Sequence, residues 1–209
     1  MFFEYGDREV NHLKSRDKLL AWAIDRIGHI HREVDRDLFS SVIHSIISQQ
    51  ISSSAQATVW RRLTNLVDSV DPVSIYLLDR LDLQGCGMTF RKADYIKDFA
   101  KRVVNCQFNP DTLNSLPDEE VIKKLTELKG IGKWTAEMIM IFSMQRPDII
   151  SFGDLGIHRG MKMLYNKETI DRAEFDRYVK AYSPYGTTAG LYIWAIAGGA
   201  IPELNEGKI

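Results

Sequence analysis

An all-α fold is what this sequence predicts, and three observations carry it. Apolar residues recur at helical spacing through most of the 209 residues. Capping residues, glycines and prolines fall between the periodic stretches. Strand-like alternation is confined to residues 2–5 and 149–152, which are short and isolated. In chain order, Leu38, Phe39, Val42, Ile43, Ile46 and Ile47 mark one apolar helix face, with Asp37 as its N-cap. Ser52, Ser53 and Ser54 offer capping hydroxyls to a second helix that turns Val59, Trp60, Leu63, Leu66 and Val67 inward. Asp71-Pro72 opens a third, since proline suits a first helical turn, and Gly85-Cys86-Gly87 stops it. A fourth runs over 89–104, with Ala93, Ile96, Phe99, Ala100 and Val103 on one stripe. Ser115 and Asp118 read as a capping box ahead of Val121, Ile122, Leu125 and Leu128. The sixth helix follows Gly130-Ile131-Gly132 and ends before Pro147. Three more are expected near 154–165, 171–182 and 187–200, which makes nine. No fixed-period repeat is visible, which argues against a solenoid.

Composition excludes more than it identifies. Hydrophobic residues make up 44% and charged residues 26%, as in ordinary globular proteins, so a disordered tail, a collagen and a coiled-coil rod are ruled out. No run of about 18 apolar residues is present. Met1-Phe2-Phe3-Glu4-Tyr5-Gly6-Asp7 has neither the cationic start nor the apolar stretch of a signal peptide. Cys86 and Cys106 are too few for a disulfide framework or a four-thiolate cluster, and a cytoplasmic location is expected. The 27 basic and 28 acidic residues give a net charge of −1, so any nucleic-acid contact needs a local positive face. His29 and His31, two residues apart, are expected on different faces of a helix, which disfavours a metal site.

The most informative stretch is Leu128-Lys129-Gly130-Ile131-Gly132-Lys133-Trp134-Thr135-Ala136. Two glycines one residue apart let the chain reverse tightly between helices and let another backbone approach. The next helix begins here, so its first N–H groups and the positive end of its dipole form an anion site of the kind that suits DNA phosphate. Lys129 and Lys133 flank it. Read on these residues alone, a plain glycine cap joining two helices remains an equal alternative.

This segment resembles the hairpin of helix-hairpin-helix DNA glycosylases. Phe152-Gly153-Asp154-Leu155 is similar to that superfamily's catalytic loop, and Asp154 lies 24 residues after Gly130, as in the 3-methyladenine DNA glycosylase II branch. Residues 46–52 and Tyr192-Ile193-Trp194 match further landmarks of the branch, so the resemblance spans roughly residues 37–200. It implies two helical lobes, 37–147 with the hairpin and 1–36 plus 148–209, and an active-site cleft where they meet. It also implies a minimal enzyme without the N-terminal β domain of larger relatives. The expected partner is double-stranded DNA carrying alkylated bases, bound by a monomer that needs no redox cofactor or catalytic metal.

Such an enzyme rotates a nucleotide out of the stack and breaks the bond between C1′ and the base. The transition state resembles an oxocarbenium ion, which a carboxylate stabilises. The resemblance places the catalytic carboxylate on Asp154; an inert N-cap is the ordinary reading of an aspartate at a helix start. It places a base pocket on Trp134, Trp194 and Met138, where indole faces suit the positive charge of an N3- or N7-alkylated purine. It places DNA contacts on Gln50, Gly130, Gly132, Lys133 and Thr135, with Gln50 filling the gap left by the flipped base. Thr89, Arg91 and Lys92 offer a further phosphate contact or a merely solvated face, and His158 shares the helix face of Asp154. Relatives with lyase activity carry a lysine four residues after the first hairpin glycine. Trp134 occupies that position, and Lys133 is turned about 100° away. The resemblance therefore implies a monofunctional glycosylase for 3-methyladenine and 7-methylguanine. The alternatives are a glycosylase for 8-oxoguanine or a deaminated base, and a non-catalytic DNA-binding module.

Overall fold

The computed structural model describes residues 1–205, and helices are its regular elements. The chain forms two compact units, one of Met1–Val34 with the chain from Met140 onward, the other of Asp35–Ile139. The first opens with α1 (Asp7–Arg16) and α2 (Lys18–Ile27), neither among the nine expected helices, although Leu20, Ala23 and Ile24 give α2 an apolar stripe at helical spacing. Only Leu13 of α1 is buried, so that helix has almost no apolar repeat to read. His29 and His31 follow α2 outside any helix, their rings 4.8 Å apart, which replaces the expected helical placement. The strand-like stretch near the N-terminus contributes a single isolated bridge, Phe2 to Glu33.

The second unit begins with α3 (Leu38–Ser48), capped by Asp37 on Ser40 N, and α4 (Ser53–Thr64), capped by Ser52 on Ala55 N. Leu66, expected inward, is exposed beyond the end of α4. The single helix expected after Asp71 is two, α5 (Pro72–Leu77) and α6 (Arg80–Gly85). Leu78 is extended, and the Asp82 carboxylate accepts from Asp79 N at 3.0 Å, which restarts the helix. Then come α7 (Phe90–Val104), a 3-10 helix (Pro110–Ser115) and α8 (Asp118–Thr126). The expected capping box does not form. Ser115 ends the 3-10 helix and donates to Thr112 O, and Pro117 precedes α8. Asp118, Glu119 and Glu120 instead complement the positive helix end. The core of this unit stacks Phe39 of α3 on Phe99 of α7 at 5.0 Å, among Val42, Ile43, Ile46 and Ile96.

Beyond the hairpin, α9 (Lys133–Phe142) leads into the first unit, which is completed by α10 (Leu155–Leu164), α11 (Arg172–Tyr182), α12 (Gly186–Ala197) and α13 (Pro202–Asn205). Thirteen α-helices and one 3-10 helix thus stand among the described residues, where nine helices were expected. None is long and apolar enough to cross a membrane. In the first unit, α10 and α12 pack so closely that a Cβ on Gly160 would lie 2.1 Å from Ile193 O. Around them Leu13, Leu20, Ile157, Met161, Tyr192 and Ile196 exclude water. Asp17 caps α2 through Oδ1 and accepts from the Tyr165 hydroxyl through Oδ2 at 2.7 Å, tying α2 to the end of α10.

Candidate active site

In the first unit, the segment before Asp154 is anchored to the start of α12. Thr187, fully buried, donates through Oγ1 to Arg146 O at 2.6 Å and accepts from Ile149 N at 3.0 Å. Its own N–H donates to Pro147 O at 2.9 Å. Asp148 accepts from Gly186 N at 2.9 Å and from Ser183 Oγ at 2.6 Å. A Cβ on Gly186 would come within 2.7 Å of that carboxylate, so only glycine admits the contact. These bonds fix the backbone that delivers Asp154, and the strand-like stretch at residues 149–152 forms no strand.

Asp154 is the N-cap of α10 and is 7% exposed. Its Oδ1 accepts from Ile157 N at 2.9 Å, the ordinary capping bond, and from Trp194 Nε1 at 2.9 Å. The structure therefore joins two of the residues singled out in the sequence, 40 positions apart, through one carboxylate oxygen. Trp194 is half-buried and its ring tilts against Phe142 at 5.7 Å. The Arg32 guanidinium lies 4.5 Å over the other aromatic, Phe142. His158 Nε2 lies 2.7 Å from Phe152 O; a carbonyl only accepts, so Nε2 is the donor. Its ring stacks on Phe175 and meets Phe152 edge-on, so His158 braces the Asp154 loop from beneath.

In the second unit the hairpin has two unlike glycines. Gly130 has φ +86°, and a Cβ there would sit 2.4 Å from Tyr95 Cδ2, so both the backbone and the neighbouring ring require glycine. Gly132 has neither constraint, and a Cβ there would meet open space. Ala136 N donates to Gly132 O at 2.9 Å, which opens α9. Lys133 is exposed, with Nζ 3.9 Å from Glu137 Oε1. Trp134 is 47% exposed, Met138 is half-buried, and Thr135 is 8% exposed. Lys129, also counted as a flanking cation, is paired with Asp98 at 2.9 Å.

Gln50 is exposed and holds φ +57°, a conformation that costs a non-glycine residue about 1–2 kcal/mol. Two side chains whose part here carried no signal in the sequence hold the turn in front of it. Gln49 donates through Nε2 to Gly130 O at 2.7 Å, tying the turn to the hairpin. Lys92 donates through Nζ to Ile47 O at 2.8 Å and Gln49 O at 2.6 Å, closing the end of α3. Burial, with Arg91 adding repulsion, lowers its pKa. Lys92 is thus a structural donor, while Thr89, which caps α7 on Lys92 N, and Arg91 are both exposed. A lysine three residues after a helix cap carried no signal of this role, since its acceptors lie 45 and 43 residues away.

A model of HhH-GPD superfamily base excision DNA repair proteins matches residues 43–184. The DNA-3-methyladenine glycosylase 1 of Schizosaccharomyces pombe is 27% identical over 191 residues, covering 88% of this chain and 84% of its own. A crystal structure of a DNA-3-methyladenine glycosidase from Bacillus halodurans matches with a TM-score of 0.88 at 34% identity, over 99% of this chain and 98% of that one. The 3-methyladenine DNA glycosylase of S. pombe in complex with abasic DNA matches at 0.78 and 26% identity, over 90% of this chain and 95% of that one.

Proposed function

Since the chain belongs to the HhH-GPD superfamily of base excision DNA repair proteins, we propose that it is a monofunctional DNA glycosylase that removes alkylated purines from duplex DNA. The substrate is 3-methyladenine first and 7-methylguanine second. Relatives named as 3-methyladenine glycosylases support the lesion class. The observation that carries the chemistry is a carboxylate, Asp154, held at a helix start by two N–H donors on one oxygen.

Excision begins with rotation of the damaged nucleotide out of the stack, which costs a few kcal/mol of lost stacking and pairing. Gln50, projecting from its strained turn, fills the vacated space and bonds the orphaned base. Gly130, Gly132, Lys133 and Thr135 hold the backbone phosphates at the start of α9. Contacts with the base are assigned to Trp134 and Met138 of the second unit and to Trp194 of the first, each indole adding about 0.5–2 kcal/mol of attraction for a cationic purine. Alkylation already makes the base a good leaving group, so no strong acid is needed. As the bond to C1′ breaks, its electron pair leaves with the purine. Positive charge gathers on the sugar beside the Asp154 carboxylate, which also orients the attacking water. The water's oxygen bonds to C1′ and its proton is lost, which leaves an abasic site. Trp134 stands where a lyase carries its amine, so the strand is left intact.

The test is a panel of duplexes, each holding one defined lesion. Wild type releases free 3-methyladenine, and Asp154→Asn, which still caps α10, releases it at least about 10³-fold more slowly. Excision of 8-oxoguanine or a deaminated base, with alkylpurine duplexes untouched, overturns the substrate assignment. Borohydride trapping of a covalent DNA adduct overturns the monofunctional one.

A further inference from the structure

The role drawn for Trp194 so far is that of an aromatic wall, yet its indole N–H is already bonded. Nε1 donates to Asp154 Oδ1 at 2.9 Å, and the ring edge reaches this carboxylate across the first turn of α10. Gly156 stands in that first turn. A Cβ there would lie 2.9 Å from Trp194 Cδ1 and 3.1 Å from Asp154 Oδ1. Its backbone is ordinary helix with no positive φ, where alanine is the better helix former. The missing side chain is therefore explained by the indole passing over it, and not by the backbone. The clash involves a rigid ring and a capped carboxylate, neither of which gives way like the end of a flexible chain. The Phe142 ring packs against the indole, with centroids 5.7 Å apart.

We infer that Trp194 is a positioning residue for the catalytic carboxylate, acting through its indole N–H, and that Gly156 is the gap that admits it. This rests on Asp154 being the group that faces the sugar. With Oδ1 held by a backbone and an indole donor, the carboxylate has one orientation before substrate arrives, and no rotation is needed as charge develops at C1′. Trp194→Phe separates this role from stacking, because phenylalanine keeps an aromatic face and loses the donor.

Single-turnover release of 3-methyladenine and affinity for a duplex with a stable abasic analogue are measured side by side. Trp194→Phe is expected to slow release about 10- to 100-fold, the worth of one hydrogen bond to a charged group. Affinity for the abasic duplex should stay within about two-fold of wild type. Gly156→Ala slows release alone, and slows it by a smaller factor in a Trp194→Ala background, where the ring it displaces is gone and only the 3.1 Å approach to Asp154 Oδ1 remains. Release by Trp194→Phe within about three-fold of wild type, a loss confined to affinity, or additive effects of Gly156→Ala and Trp194→Ala each overturn the inference. A second readout does not depend on activity. The Trp194 indole N–H, identified by its loss in Trp194→Phe, should exchange with solvent at least about ten-fold faster in Asp154→Ala than in wild type. Equal exchange overturns the positioning bond. Absence of any alkylpurine release by wild type overturns the proposed function instead, and the exchange measurement still decides the bond.

Discussion

Gly130 and Gly132 are one residue apart and answer to different demands. Alanine at 130 must adopt a left-handed backbone and press a methyl group to 2.4 Å from the Tyr95 ring. The backbone alone costs about 1–2 kcal/mol, and overpacking adds about 1–3 kcal/mol. For a chain of this size Gly130→Ala should lower Tm by about 5 °C or more in a thermal melt. Alanine at 132 meets nothing within the chain, so Gly132→Ala should melt within about 2 °C of wild type. Its penalty belongs to the duplex: if Gly132 exists to let a phosphate approach, the same variant binds DNA at least about five-fold more weakly. Unchanged DNA affinity in Gly132→Ala would remove that glycine from the interface. Sequence motif alone treats the two glycines as a pair; only the place of the Tyr95 ring separates them.

At the scale of elements, short helices depend on their caps more than on propensity. The six residues of α5 start at Asp71, whose carboxylate accepts from Ser69 Oγ, Ser74 N, Ser74 Oγ and Val73 N. The Ser69 hydroxyl, then the Ser74 donors, hold its pKa down at about 2 against an ordinary 3.8. The fold therefore favours the ionised form, and the stability this contributes is complete above about pH 4 and is lost as pH falls toward 2. Asp71→Asn should melt below wild type at pH 6, and the gap should close between pH 4 and pH 2 in parallel melts. A gap that is constant over this range would show that the charge of Asp71 contributes nothing to α5. The sequence marked Asp71-Pro72 as a helix start but not the break at Leu78, because a break set by one extended residue and a new cap leaves the apolar pattern unchanged.

At the scale of the whole molecule, 27 basic residues face 28 acidic ones, so DNA binding rests on which cations lack a partner. Arg80 is held by Asp94, Arg102 and Lys129 share Asp98, and Lys167 is held by Glu174. Lys133 is exposed and only 3.9 Å from a single carboxylate oxygen. Affinity for an undamaged duplex should fall about 10²-fold between 50 and 200 mM salt if about four phosphates are contacted. Lys133→Gln should reduce the slope of log affinity against log salt by about one, and Lys129→Gln by much less. Equal effects of the two substitutions would place the DNA contact elsewhere.

Periodicity and punctuation by themselves determined the all-α class, most helix starts and the hairpin, because each depends on neighbours within a turn or two of chain. The same local signals reached Asp154 as a helix cap, and the family resemblance reached Trp194 as an aromatic of interest. That the indole N–H meets the carboxylate, that Gly156 leaves room for it, that Lys92 closes α3 and that Thr187 anchors the Asp154 loop were decided only in three dimensions. Each of these is a bond or a clash between residues distant in sequence, and such contacts leave no period in the chain that makes them.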